Sequence, residues 1–175
     1  MNTPRFDDRA DLGFAWSVKD SFLRYIRSMP DGVIRWGGGA SVTNDGQFYF
    51  PLISVARTPE GVDLQFGGEV RFVAHRGLLA VTLSSPLIRV VRTTATLING
   101  VDGAHDELCE IDLPAQTHDD DVLMWLEAPS ALTPAGSELF AGSYAVNEVM
   151  APVTIRIPLG PGASFPTTTV THAKV

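Results

Sequence analysis

Val62-Asp-Leu-Gln-Phe66, followed by Glu69-Val-Arg-Phe-Val-Ala-His75, alternates apolar and polar side chains with a period of two. Successive side chains of an extended chain point to opposite faces, so this alternation marks strands with one buried face. Working downstream, Leu78 to Leu83, Leu87 to Val91, Ala95 to Ile98, Leu108-Cys-Glu-Ile-Asp-Leu113, Leu123-Met-Trp-Leu126 and Val153-Thr-Ile-Arg-Ile-Pro158 read as further strands. Upstream, Val33-Ile-Arg-Trp36 is strand-like, and Gln47-Phe-Tyr-Phe-Pro51 reads as its returning hairpin partner across the Asn44-Asp-Gly46 turn signal. Thr58-Pro-Glu-Gly61 is another turn, and Gly100-Val-Asp-Gly103 opens a loop.

Two segments depart from the strand period. After Asp11-Leu-Gly13, the residues Phe14, Val18, Phe22 and Tyr25 or Ile26 fall on related turns of a helix, which Met29-Pro-Asp-Gly32 stops. Thr133-Pro-Ala-Gly-Ser-Glu-Leu-Phe140 is a short helix, with Thr133 at the N-cap and Pro134 at the first helical position. Residues 1–13 read as an irregular lead-in, and the tail after Gly160-Pro-Gly162 as a last strand or a frayed end. The expected fold is mainly β (α+β): about ten antiparallel strands in a two-sheet sandwich or barrel-like sheet, capped by two short helices. No repeat or linker divides the chain, so one domain over residues 1–175 is expected, with its core at about 12–160.

Composition narrows the function. The 175 residues carry a net charge of −7 and no run of Lys or Arg, which excludes the concentrated basic surface that nucleic acid requires. No apolar run approaches the ~18 residues of a membrane span. The start, Met1-Asn-Thr-Pro-Arg-Phe-Asp-Asp-Arg, lacks the apolar centre of a signal peptide. Taken as it stands the chain reads as cytoplasmic; a preceding export signal would make it extracellular or cell-surface. The single cysteine, Cys109, reads as a reduced packing thiol, and His75, His105, His118 and His172 are too scattered for a zinc motif.

Enzyme signatures are absent. There is no Gly-x-Ser-x-Gly elbow, phosphate-binding Gly-Lys loop or dinucleotide fingerprint. Glu107 with Glu110 or Asp112 reads as surface carboxylate rather than as an acid–base pair. Thr117-His-Asp-Asp-Asp-Val122 reads as a solvated acidic loop. What remains is Tyr25 on an amphipathic helix and His75 at a strand end. A phenolate is an iron ligand, and a neighbouring imidazole and the iron's charge both favour loss of the phenol proton. On residue type alone, an amphipathic tyrosine and a hydrogen-bonded strand-end histidine remain the competing description.

The ordered motifs supply the context. Trp16, Lys19, Ser21, Phe22 and Tyr25 match a Trp-Gly-x-Lys-x-Ser-Phe-x-x-Tyr opening. Val70-Arg-Phe72, His75, Gly77, Leu79 and Leu83-Ser-Ser-Pro86 match a Val-Arg-Phe-x-Gly-His-x-Gly-x-Leu signature running on to Leu-x-x-Pro. Phe50-Pro51, Ala95-Thr-Leu97, Leu139-Phe-Ala-Gly-Ser-Tyr144 and Met150-Ala-Pro-Val153 follow in the expected order. Over residues 12–160 the chain resembles the HtaA haem-binding domain family of bacterial haem acquisition.

That resemblance implies a two-sheet β fold with two short helices and ferric haem b held at the edge of the sheets. It implies Tyr25 as the iron ligand, His75 hydrogen-bonded to the phenolic oxygen, and Ser21 and Tyr144 at the haem periphery near a propionate. It further implies a non-enzymatic protein whose partners are haem and a haem donor or acceptor protein. Ser17, Ala74 and Ala151 depart from the family pattern, as does the glycine missing after the second tyrosine, and Arg76 adds a charge beside His75. These departures set the alternative: an HtaA-like β-sandwich acting as a protein-interaction module without haem. An enzyme that processes haem is a third reading.

Overall fold

In the computed structural model, residues 6, 9–101 and 105–160 are described. The fold is mainly β and every strand pairing is antiparallel. The larger sheet runs β1 (Gly13–Trp16), β13 (Val149–Pro158), β12 (Val122–Leu132), β10 (Asp106–Asp112), β9 (Thr94–Asn99), β8 (Leu87–Val91), β5 (Val62–Phe66) and β4 (Phe48–Arg57). Because β1 also pairs with β4, this sheet closes into an eight-stranded barrel. Two short strands extend it: β3 (Ser41–Val42) on β4, and β11 (Thr117–Asp119) on β12. The smaller sheet is β2 (Val33–Gly37), β6 (Glu69–Ala74) and β7 (Leu79–Ser84). Two sheets and two helices were expected; closure of the larger one removes two open edges that a sandwich would leave.

Closure depends on β1, which the sequence reading assigned to a helix. All four of its residues are buried. Phe14 stacks on its cross-strand partner Phe50 at 4.7 Å and meets Phe66 edge-on at 4.7 Å. Gly13 admits no side chain, since a Cβ there would lie 2.4 Å from the Phe50 carbonyl oxygen. The chain then reverses at Val18, whose φ of 61° lies in the left-handed region, and α1 (Asp20–Ser28) begins. The Phe14–Val18 spacing therefore mimics a helical period across a strand and a turn. Trp16 Nε1 donating to the Ala151 carbonyl (2.8 Å) and Lys19 Nζ to the Val149 carbonyl (2.7 Å) fasten this junction to β13.

The expected hairpin between Val33–Trp36 and Gln47–Pro51 does not form. β2 pairs with β6 in the small sheet, whereas β4 pairs with β1, β3 and β5 in the barrel. The Asn44-Asp-Gly46 turn instead joins β3 to β4. Strand β12 outruns the expected Leu123–Leu126 and carries register shifts between Trp125 and Ala128 and between Ala128 and Ser130. Buried positions there pass from Leu123 and Trp125 to Ala128, Ser130 and Leu132, which breaks the period of two. The acidic segment is the exposed β11–β12 hairpin, with Asp121 paired to Arg9 at 2.9 Å. The expected tail strand lies outside the described residues.

The small sheet packs on the barrel through Val70, Phe72 and Ala74, the buried residues of β6. Phe72 meets Phe48 of the barrel edge-on at 5.5 Å and Phe22 of α1 at 5.1 Å. Phe22 in turn meets Phe140 at 5.1 Å, just beyond α2 (Pro134–Leu139). Thr133 caps α2 as its sequence foretold, accepting from the Gly136 amide at 3.0 Å. A continuous run of aromatic rings thus leads from the barrel wall to the surface between α1, the end of α2 and the small sheet.

Candidate functional site

Helix α1 buries Phe22, Leu23 and Ile26. Tyr25, three residues after Phe22, shares that side of the helix but lies at its rim, 41% exposed. Fixing the Phe22 ring between Phe72 and Phe140 fixes the roll of the helix, and so the direction of the Tyr25 phenol.

Opposite Tyr25, β6 ends and the chain makes a tight hairpin turn to β7, closed by the Leu78 amide donating to the His75 carbonyl at 3.1 Å. His75 (φ 52°), Arg76 (φ 57°) and Gly77 (φ 86°) occupy the left-handed region in succession. Glycine adopts it freely, but other residues incur roughly 1–2 kcal/mol each. The compensating contact comes from Asp31, in the turn after α1. Its Oδ2 accepts the Arg76 amide at 2.5 Å. That amide foremost, with the His75 backbone nearby, holds the Asp31 carboxyl below the usual carboxylate range. Held this way, His75 reaches back to α1, and its Nε2 shares a hydrogen bond with the Tyr25 hydroxyl.

The pair stands at a cavity of about 690 Å³. Phe22, Leu79 and Phe140 give it an apolar wall, and Ser21, Ser143 and Tyr144 supply hydroxyl groups. Tyr144 packs edge-on against Phe140 (5.7 Å) and Phe22 (6.4 Å). Lys19 Nζ lies 5.7 Å from the Tyr144 ring centroid while bonded to Glu148 at 3.1 Å. Leu78 forms part of the rim with 90% of its surface exposed.

All four residues singled out in the sequence, Ser21, Tyr25, His75 and Tyr144, therefore face one cavity. Arg76 contributes its amide to the Asp31 clamp, and its side chain is not part of the wall. Ala74 does not crowd the site either. Its backbone is extended (φ −153°, ψ 175°), and its methyl group is buried in the core. Sequence reasoning missed Asp31, Leu78 and Phe140. Asp31 was visible only as part of a helix stop, and the left-handed turn only through Gly77.

Cys109 is buried, and burial pushes its thiol up to about 12. Glu107, Glu110 and Asp112 lie on the exposed side of β10. Among the described residues, no group of three or more His, Cys, Asp or Glu could hold a metal ion. No described helix is long and apolar enough to cross a membrane.

The Htaa family model matches residues 11–156. The chain belongs to the HtaA family. The HtaA C-terminal domain of Corynebacterium glutamicum superposes with a TM-score of 0.69 at 24% identity, covering 85% of this chain and 99% of that one. The HtaA N-terminal domain of that organism gives 0.69 at 24%, covering 83% and 96%. Its heme binding protein HtaB gives 0.64 at 19%, covering 82% and 90%. At these identities the likeness shows the fold alone. None of the curated proteins compared with the chain matches it.

Proposed function

We propose that this HtaA-family protein binds ferric haem b in the cavity between α1, the His75 turn and the segment after α2. Tyr25 is the axial ligand in this reading, and His75 is its hydrogen-bonded partner. The observation that carries it is the Tyr25–His75 hydrogen bond at the mouth of an aromatic-walled cavity of about 690 Å³. That volume lies within the ~300–1,000 Å³ typical of small-molecule sites. Membership of the HtaA family and the printed name of HtaB, a heme binding protein, support the ligand class.

Haem, when bound, supplies a Lewis-acidic ferric iron that favours an anionic oxygen ligand. The chain's own groups do the rest. His75 takes up the phenol proton or donates to the phenolate oxygen, and in either role it tunes the basicity of Tyr25. Phe22, Leu79, Phe140 and Leu78 bury apolar surface at about 25 cal/mol per Å². The hydroxyls of Ser21 and Tyr144 line the same cavity and suit a carboxylate substituent. We read the role as non-enzymatic haem uptake, transfer or buffering, with a haem donor or acceptor protein as partner.

A haemin titration followed by absorbance tests this directly. The expected result is a saturable Soret band of a tyrosine-ligated ferric haem, mostly lost in Tyr25→Phe. Wild-type protein that stays colourless with excess haemin sinks the reading and favours an interaction module. A Tyr25→Phe variant that binds equally well sinks the ligand assignment.

A further inference from the structure

We propose that Asp31 is a positioning residue for His75, and that through His75 it sets how long the cavity keeps its haem. The inference rests on the haem reading above, but it concerns atoms that do not line the cavity.

Asp31 is joined rigidly to the helix that carries Tyr25. After α1 the chain turns through Met29 N–H donating to the Ile26 carbonyl (3.2 Å) and Gly32 N–H donating to the Met29 carbonyl (3.0 Å). Gly32 is required there, because a Cβ would fall 1.8 Å from the Ile26 carbonyl oxygen. Pro30 fixes its own φ within this turn. The Asp31 carboxylate therefore moves with α1 and with Tyr25.

It accepts the Arg76 amide, in the middle of the His75 turn, at 2.5 Å. Two non-glycine residues there hold left-handed φ, and such conformations persist only where the surroundings enforce them. The Leu78 amide donating to the His75 carbonyl (3.1 Å) and the Ala74–Leu79 strand pairing close the turn, but neither fixes the torsion that aims the imidazole. Without the carboxylate the His75 backbone is free to leave its left-handed φ, and the imidazole swings away from Tyr25. One helix thus presents the phenol and, through Asp31, aims the imidazole at it. Asp31 is absent from the cavity wall, so it acts through His75 and not on the ligand.

The test compares haem release to excess apomyoglobin from wild type, Asp31→Asn, Asp31→Ala, His75→Ala and the Asp31→Ala/His75→Ala double variant. Asp31→Ala should release haem up to about tenfold faster, the low end of the scale seen when the group hydrogen-bonded to a metal ligand, here His75, is lost. Asp31→Asn keeps an acceptor oxygen and should fall between the two. In the His75→Ala background the Asp31 substitution should add nothing. Equal acceleration in both backgrounds means that Asp31 acts on general stability, and that overturns the proposal; so does no acceleration at all. The haem-free protein gives an independent readout. Asp31→Ala should move the His75 imidazole nitrogen chemical shifts toward those of a free imidazole, and unchanged shifts reject the positioning role. If wild type takes no haem, the haem reading fails and these shifts alone decide the role of Asp31.

Discussion

The Tyr25 hydroxyl and the His75 imidazole, 50 residues apart in sequence, meet across the seam between α1 and the small sheet. Neither element could orient the pair alone. α1 aims the phenol through the buried Phe22, and the clamped turn aims the imidazole. Both side chains are exposed, so little of the core depends on the pair.

Separating folding from binding therefore gives the first prediction. A hydrogen bond at an exposed site contributes at most about 1 kcal/mol. Tyr25→Phe should shift the haem-free melting temperature by only a few degrees while removing most of the Soret band. A large loss of stability in haem-free Tyr25→Phe would recast Tyr25 as a structural residue.

Leu78 offers the complementary substitution. Its side chain is 90% exposed, so Leu78→Ser removes almost no buried area from the protein itself. Denaturant midpoints should match wild type, whereas haem release should quicken about five- to thirtyfold, because about 1–2 kcal/mol of apolar contact with the ligand is lost. Release at the wild-type rate would place the ligand away from this rim.

Much of this site was legible in the sequence because its chemistry is local. Ser21, Phe22 and Tyr25 share one short helix, and His75 follows directly on an alternating strand. The illegible parts depend on distant pairing. Gly13–Trp16 is a strand because β4 and β13 flank it, and no local signal distinguishes its apolar run from a helix turn. The true partner of Val33–Trp36 is β6, which closes a longer loop than the hairpin that local turn chemistry favoured. Asp31 was hidden for the same reason: its hydrogen-bond donor lies 45 residues away.

The small sheet also contains an unfavourable pair. Arg35 and Arg71 lie directly opposite each other on β2 and β6, and among the described residues neither has an ion-pair partner. Like charges in cross-strand register are destabilising by roughly 0.2–1 kcal/mol. Arg71→Thr keeps a strand-favouring residue and should stabilise the protein by about 0.5 kcal/mol, an effect that shrinks in high salt. Chemical denaturation at low and high ionic strength measures both. A destabilised variant, or a salt-independent gain, would reject electrostatic repulsion as the cause.

Cys109 makes the last case, through pH. Its thiol is buried in the barrel core, and burial raises its pKa from 9.0 to about 12. Below pH 9 the thiol is neutral in both the folded and the unfolded chain, so its full contribution to stability is present. Above pH 9 the unfolded chain loses the proton while the folded one keeps it, so this contribution falls as pH rises and is gone by about 12. Cys109→Ala removes the titrating group at the expense of a small cavity. The variant should be less stable than wild type at pH 7, and the gap should narrow progressively between pH 9 and 11. Native protein should also resist iodoacetamide at pH 8 and react once unfolded, because the thiolate is the nucleophile. Rapid alkylation of the folded protein, or a gap that stays constant with pH, would show that the thiol reaches water.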